Sequence, residues 1–171
     1  MLSRTKTGRM AACGMLLALA LLFSYIESLL GLVFAYLPGI KLGLANIVVT
    51  FAYFYMSRWE AAAVSFCRVL IMGLLFGSAV SFMYSLGGAV LAYAGLVTAE
   101  RFGEKISFIG TSVLCACLHN IGQIFVAACF FGAEILPYYL PYLLLGGALL
   151  GILTGALLNL ISNKYKKVIG Q

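Results

Sequence analysis

The sequence predicts an all-α, polytopic membrane protein with six transmembrane helices and both termini in the cytoplasm. Hydrophobic residues make up 64% of its 171 residues and charged residues only 9%, whereas a soluble domain carries about 25% charged residues. Six apolar runs approach the roughly 17–25 residues that a helix needs to cross a bilayer. We therefore expect a single six-helix domain over residues 1–171.

Charged or turn-forming residues separate the six runs. In chain order, the predicted spans are Met10–Leu30, Leu42–Met56, Trp59–Phe76, Ser78–Ala99, Ser107–Phe131 and Pro141–Ser162. The first run follows basic residues, as a signal peptide does. It is longer than the usual apolar core of about 7–15 residues and no clear A-x-A site follows, so we expect a retained span. The second run is short and is expected to extend into its flanks.

Lysine and arginine are distributed asymmetrically between the connections, which predicts the orientation. With a cytoplasmic amino terminus, the inner flanks hold nine basic residues and the outer loops hold only Lys41. This arrangement requires an even number of spans and indicates a multi-pass protein of the plasma membrane. The net charge of +6 forms no basic stripe on a polar face, so no nucleic-acid partner is expected.

Arg68 lies in the middle of the third run. An ionised side chain at that depth costs roughly 2.5–3.5 kcal/mol on insertion scales, and it normally faces a protein interior or a wet cavity. Such a residue indicates a functional site by default. The alternative is that Arg68 joins two helices through backbone carbonyls.

Other polar residues in the spans are expected to turn inward with Arg68, because unsatisfied groups in lipid cost several kcal/mol. Ser112, Cys115, His119 and Gln123 are three or four residues apart on the fifth span and therefore share one helix face. For each of these groups, a structural role between helices remains the alternative. The other candidates for a substrate cavity are Glu27, Lys41, Asn46, Ser81, Tyr84, Ser85 and Asn120.

These polar groups crowd the outer half of the predicted bundle, at about 1.5 Å of helix per residue. Lys41, Arg68 and His119 would attract an anionic group, whereas the tyrosines and phenylalanines suit an apolar or aromatic body. Segment 31–41 contains helix-breaking residues and is expected to cover the cavity as a lid. Segment 132–141 is expected to be a second structured loop, and for both loops a passive position at the headgroups is the alternative.

Small residues recur on two spans. Gly147, Gly151 and Gly155 lie four residues apart on the sixth span, which predicts a groove for the close approach of another helix. Internal packing is the commoner explanation of such grooves, and docking onto a partner protein is the alternative. A second small-residue face, on the first span, consists of Ala11, Gly14 and Ala18.

The residues argue against an enzyme. The chain has no aspartate, and its five glutamates form no carboxylate cluster of the kind that holds Mg²⁺ for diphosphate chemistry. GxxxxGK[ST], HExxH and GxSxG are missing from the sequence, so we expect no catalytic site, metal or cofactor and no ATPase activity of its own. The five cysteines form no CxxC and are interpreted as small hydrophobic residues.

Four segments carry a resemblance to a known family: PGIKLGLANI at 38–47, LFGSAVSFMYSLGG at 75–88, HNIGQ at 119–123 and YYLPYLLLGGALLGILTG at 138–155. They resemble, in this order, the membrane family called heptaprenyl diphosphate synthase component I, also called the Gx transporter family. That family is similar to the substrate-binding S components of energy-coupling factor (ECF) transporters.

The resemblance implies a six-helix S-component-like bundle that binds a vitamin-like or isoprenoid-like small molecule in the outer half of the membrane. It implies a transmembrane coupling protein and two ATPases as partners, with docking through Gly14 and Ala18. It also places Lys41, Asn46 and the residues His119, Asn120 and Gln123 near the cavity. The family name keeps open an accessory subunit of heptaprenyl diphosphate synthesis, and a helix bundle without a ligand is the third alternative.

Overall fold

The part of the chain that the structure describes folds into six α-helices and one short 3-10 turn. A computed structural model describes residues 5–33, 43–76, 79–103 and 106–169, and no strand occurs within these ranges. The predicted all-α class is therefore confirmed. The helices are α1 (Lys6–Val33), α2 (Leu44–Tyr55), α3 (Arg58–Phe76), α4 (Ala79–Phe102), α5 (Phe108–Phe131) and α6 (Leu136–Ile169), and the 3-10 turn is Ala133–Ile135.

Five of the six helices are long and apolar enough to cross a membrane. The exception is α2, whose 12 residues extend about 18 Å at 1.5 Å per residue, less than a hydrocarbon core of about 30 Å. It is shorter than predicted because Gly43, before it, has a left-handed backbone conformation (φ 77°) and Met56, after it, has a non-helical one (φ −114°). That α2 crosses the membrane together with its flanks stays a prediction.

Two predicted loops differ from the structure. Residues 31–33 belong to the last turn of α1, and the remainder of the predicted lid lies outside the described residues. The prediction of a loop over 132–141 is wrong for its second half, because α6 already begins at Leu136. Pro137 is compatible with a first helical turn, where its missing N–H has no intrahelical partner. Pro141 lies inside the helix, as membrane helices tolerate when neighbouring groups satisfy the freed carbonyl.

One end of the bundle, here called the terminal end, is where α1 begins and where α2 is followed by α3. Arg9 and Glu60 form a salt bridge between the first turns of α1 and α3, at 2.9 Å. At the same end, the hydroxyl of Tyr93 on α4 donates to the carbonyl oxygen of Arg58 at 2.7 Å. The first turn of α3 therefore lies beside the first turn of α1 and beside the second half of α4.

The opposite end, here called the loop end, is where α1 and α3 finish and α2 begins. The backbone N–H of Leu44, the first residue of α2, donates to the carboxylate of Glu27 on α1. The rings of Tyr25 and Phe76 have their centroids 5.1 Å apart. These contacts hold the last turns of α1 and α3 and the start of α2 together.

Glycines bring the backbones of α4, α5 and α6 into close contact. A Cβ atom on Gly122 of α5 would lie 2.4 Å from the carbonyl oxygen of Gly87 on α4. On α6, a Cβ on Gly151 would lie 2.5 Å from the Cα of Val113, and Gly155 has an equally close neighbour on α5. The predicted glycine groove of the sixth helix therefore packs internally, against α5.

Candidate functional site

A cavity of about 60 Å³ lies among α1, α3, α4 and α5. Its titratable lining groups are Glu27, Arg68 and His119. These come from the later turns of α1, from the second half of α3 and from the middle of α5, so the cavity occupies the loop-end half of the bundle. A void that holds one water needs roughly 10–15 Å³, so this cavity has room for several waters or a small polar group.

Hydroxyl groups and apolar side chains complete the lining. The hydroxyl groups belong to Ser24, Ser28, Ser81 and Ser85, and the apolar part consists of Val69, Met72, Gly73 and Phe76. On α3, the apolar residues follow Arg68 towards the loop end at helical spacing, so they lie on the same face. The cavity therefore has Arg68 and His119 at its inner end, whereas polar residues of α1 and α4 and apolar residues of α3 line the part that is closer to the loop end.

Arg68 is buried, with 6% of its surface exposed. Its Nη1 donates to the hydroxyl of Ser24 on α1 at 3.4 Å. Its Nε has no hydrogen-bond partner among the residues that the structure describes. A buried guanidinium with an unused donor at a cavity wall has capacity for one more acceptor.

Glu27 is also buried, with 3% exposed. Its carboxylate accepts the N–H of Leu44, and it interacts electrostatically with Arg68. Glu27 and Arg68 come from different helices, α1 and α3, and both line the same cavity.

His119 occupies space that a glycine leaves free. A Cβ atom on Gly88 of α4 would lie 2.7 Å from Cε1 of His119 and 3.0 Å from Cγ of Gln123. His119 is 3% exposed and Gln123 is 4% exposed. Neither amide atom of Gln123 has a hydrogen-bond partner in the described part of the chain. The predicted inward orientation of this α5 face is confirmed, and His119 is the member that lines the cavity.

Several predicted site residues lie elsewhere. Asn120 donates from Nδ2 to the carbonyl oxygen of Leu143 on α6, at 2.6 Å, and so joins two helices. Asn46 lines a second, smaller cavity of about 10 Å³. Tyr84 is half-buried on α4, and the set of described residues that lines the larger cavity does not include it. Lys41 lies outside the described residues.

The sequence reasoning missed Ser24 and Ser28, which line the cavity from α1. The signal was present, because Ser24 precedes Glu27 by three residues and therefore shares its helix face. Ser28 is adjacent to Glu27, which places it close to the same wall. The serines near Glu27 could therefore have been predicted as cavity residues on the same grounds as the serines of the fourth span.

The small-residue face of α1 is exposed. Ala11, Gly14 and Ala18 are all accessible at the surface of the described chain, and a Cβ on Gly14 would meet no atom within 4 Å. This face therefore differs from the α6 glycines, which α5 covers. Among the described residues, no group of three His, Cys, Asp or Glu side chains is placed to hold a metal ion.

Comparison with known proteins identifies a family for the chain. The model of a family described as heptaprenyl diphosphate synthase component I matches residues 16–161. The match includes every cavity residue named above, from Ser24 to His119. Comparisons with curated proteins and with solved structures find no match.

Proposed function

The chain belongs to the heptaprenyl diphosphate synthase component I family, and from this premise we propose that it is the substrate-binding membrane subunit of an energy-coupling-factor importer. The observation that carries the proposal is the convergence of Arg68, Glu27 and His119, from three helices, on one cavity in the loop-end half of the bundle. Ionisable groups inside a membrane bundle are costly and typically line substrate paths. In this proposal, the loop end is extracellular and the cavity receives a small organic molecule.

The energy for uptake comes from partner proteins in this proposal. The chain has no phosphate-binding loop, so two ATPases and a transmembrane coupling protein are the proposed source. The exposed face of Ala11, Gly14 and Ala18 on α1 is the proposed docking surface, because small residues permit close approach of another membrane helix. No atom of the described chain lies within 4 Å of a Cβ built on Gly14, so this position is accessible to a partner helix.

Copurification from native membranes tests this function. A tagged chain is expected to bring down one integral membrane protein and two ATPase subunits, identified by mass spectrometry. Gly14→Leu is expected to reduce their recovery at least about tenfold, because a large side chain blocks close helix approach. Gly146→Leu is the matched control, since Gly146 on α6 also has no atom within 4 Å of its Cβ position. If no ATPase accompanies the unaltered chain, the importer function is wrong.

A second candidate function is an accessory, noncatalytic membrane subunit of heptaprenyl diphosphate synthesis. The description of the matching family favours it. It predicts that deletion of the gene shortens or abolishes polyprenyl chains while uptake of small molecules stays normal. Normal polyprenyl chain lengths in the deletion strain would eliminate this candidate.

A further inference from the structure

We propose that the cavity binds an oxyanion, a carboxylate or phosphate group carried by a small apolar body, which Arg68 anchors. Glu27 is the resident counter-charge with which this ligand competes for Arg68. The proposal rests on the proposed function only in treating the cavity as a ligand site. It specifies the substrate class, which the importer function leaves open.

Arg68 has donor capacity that the described residues do not use. A guanidinium has five N–H donors in a planar fork. In Arg68, Nη1 contacts Ser24, whereas Nε has no hydrogen-bond partner within the described ranges. A buried donor without an acceptor is destabilising. An oxyanion at the cavity wall accepts from Nε and a neighbouring Nη together, in the bidentate geometry that carboxylates and phosphates share.

Glu27 has a stabilising contact besides Arg68. Its carboxylate accepts the N–H of Leu44 at the start of α2, where unpaired N–H groups and the positive end of the helix dipole stabilise an anion. Glu27 therefore does not depend on Arg68 alone for stabilisation of its charge. An incoming oxyanion can share Arg68 without leaving Glu27 as an isolated buried charge.

The α3 wall of the cavity is apolar beyond Arg68. Val69, Met72 and Phe76 follow Arg68 along α3 towards the loop end and line the same cavity. A ligand with its oxyanion at Arg68 can therefore place an apolar part against this wall of α3. Arg68 lies near the middle of α3, whereas a membrane lipid keeps its charged headgroup at the interface. The depth of the guanidinium therefore favours a small solute over a lipid headgroup.

Three probes with the same six-carbon chain test the proposal: hexanoate, hexyl phosphate and hexanamide. Isothermal titration calorimetry of the purified chain, in nanodiscs of zwitterionic lipid at pH 7, measures the Kd of each. At least one oxyanion is expected to bind about tenfold or more tighter than the neutral amide. Equal Kd values for hexanoate, hexyl phosphate and hexanamide would overturn the proposal.

Two variants separate ligand recognition from structural support. Arg68→Gln is expected to abolish the preference for oxyanions. Glu27→Gln is expected to tighten oxyanion binding several-fold, because the competing charge is removed while the amide oxygen still accepts the N–H of Leu44. A structural role of Glu27 predicts the opposite sign, so weaker oxyanion binding by Glu27→Gln would contradict the proposal even if Arg68→Gln failed to fold.

A second Arg–Glu pair of the chain supplies matched controls. Arg9→Gln and Glu60→Gln make the same changes of net charge at the terminal end, where the pair is partly exposed. Both variants are expected to bind the three probes as the unaltered chain does, and a similar effect of Arg9→Gln and Arg68→Gln would overturn the assignment to Arg68.

A further titration in nanodiscs that contain phosphatidylglycerol distinguishes a solute from a lipid headgroup. Unchanged affinity for the tighter-binding oxyanion supports a solute site, whereas competitive loss of its binding would overturn the proposed small ligand in favour of an anionic lipid. Oxyanion selectivity without copurifying ATPases would remove the importer function and keep this site. Copurifying ATPases without oxyanion selectivity would keep the importer and remove only the proposed substrate class.

Discussion

The two halves of the bundle are held together by different means. In the carboxyl-terminal half, α4–α6, glycines bring helix backbones into direct contact, as Gly122 does against Gly87. In the amino-terminal half, α1–α3, the helices contact one another through side chains: Ala20, Val48 and Val64 form a buried apolar cluster, Arg9 pairs with Glu60 and Arg68 donates to Ser24. Close backbone packing leaves no space for a Cβ atom at the contact and stabilises helix association through van der Waals contacts, whereas contacts between side chains leave the backbones further apart.

The cavity lies at the boundary between these halves. The carboxyl-terminal half contributes His119 and the serines of α4 to its wall, and the amino-terminal half contributes Glu27 and Arg68. The charged groups of the cavity wall therefore come from the half whose helices contact one another through side chains.

The largest expected effect comes from filling the closest glycine contact. Gly122→Ala is expected to destabilise the protein by about 1–3 kcal/mol, the usual cost of overpacking. A Cβ at this position would lie 2.4 Å from a backbone oxygen and 2.9 Å from the Cα of Gly88, and neither atom can move without shifting α4. Reversible unfolding in mixed micelles of mild detergent and dodecyl sulfate measures the change.

Gly14→Ala is the matched control in the other half. Its Cβ would meet no atom within 4 Å, and alanine favours a helix over glycine by about 1 kcal/mol in water. The variant is expected to be as stable as the unaltered chain or slightly more stable. Equal destabilisation by Gly14→Ala and Gly122→Ala would contradict the contrast between the two halves.

The sequence predicted part of this difference in packing between the two halves. The four-residue spacing of Gly147, Gly151 and Gly155 predicted a groove, because spacing along a helix fixes which residues share a face. The sequence alone left open what fills the groove, since that depends on which helix is the neighbour. The structure identifies α5 as that neighbour.

The candidate site was predictable to a similar extent. The burial of Arg68 and His119 followed from the cost of polar groups in lipid, and both line the cavity. Asn120, adjacent to His119, instead contacts Leu143, because successive residues on a helix point about 100° apart. Sequence proximity within the HNIGQ motif therefore did not determine which side chains face the cavity.

A smaller effect is expected when the contact of Asn120 is removed. Asn120→Ala eliminates the hydrogen bond to Leu143 across α5 and α6. Hydrogen bonds between membrane helices contribute on average about 0.6 kcal/mol and at most about 1.7 kcal/mol, so a destabilisation in that range is expected in the same unfolding assay. Binding of the oxyanion probes is expected to be unchanged. A loss of binding at unchanged stability would mean that Asn120 belongs to the binding site.

The smallest expected effect concerns the salt bridge at the terminal end. Arg9 and Glu60 form a bidentate contact, with both nitrogen–oxygen distances 2.9 Å, but their side chains are 45% and 19% exposed. Exposed pairs of this kind contribute little to stability, because solvent screens the charges and the long side chains lose rotamer freedom. A double-mutant cycle of Arg9→Gln and Glu60→Gln is therefore expected to give the smallest coupling of the four predictions, and one that falls as salt is raised. A large coupling that salt does not change would mean that this contact is shielded from water, and the difference between the two halves would then be smaller than the exposure of the pair indicates.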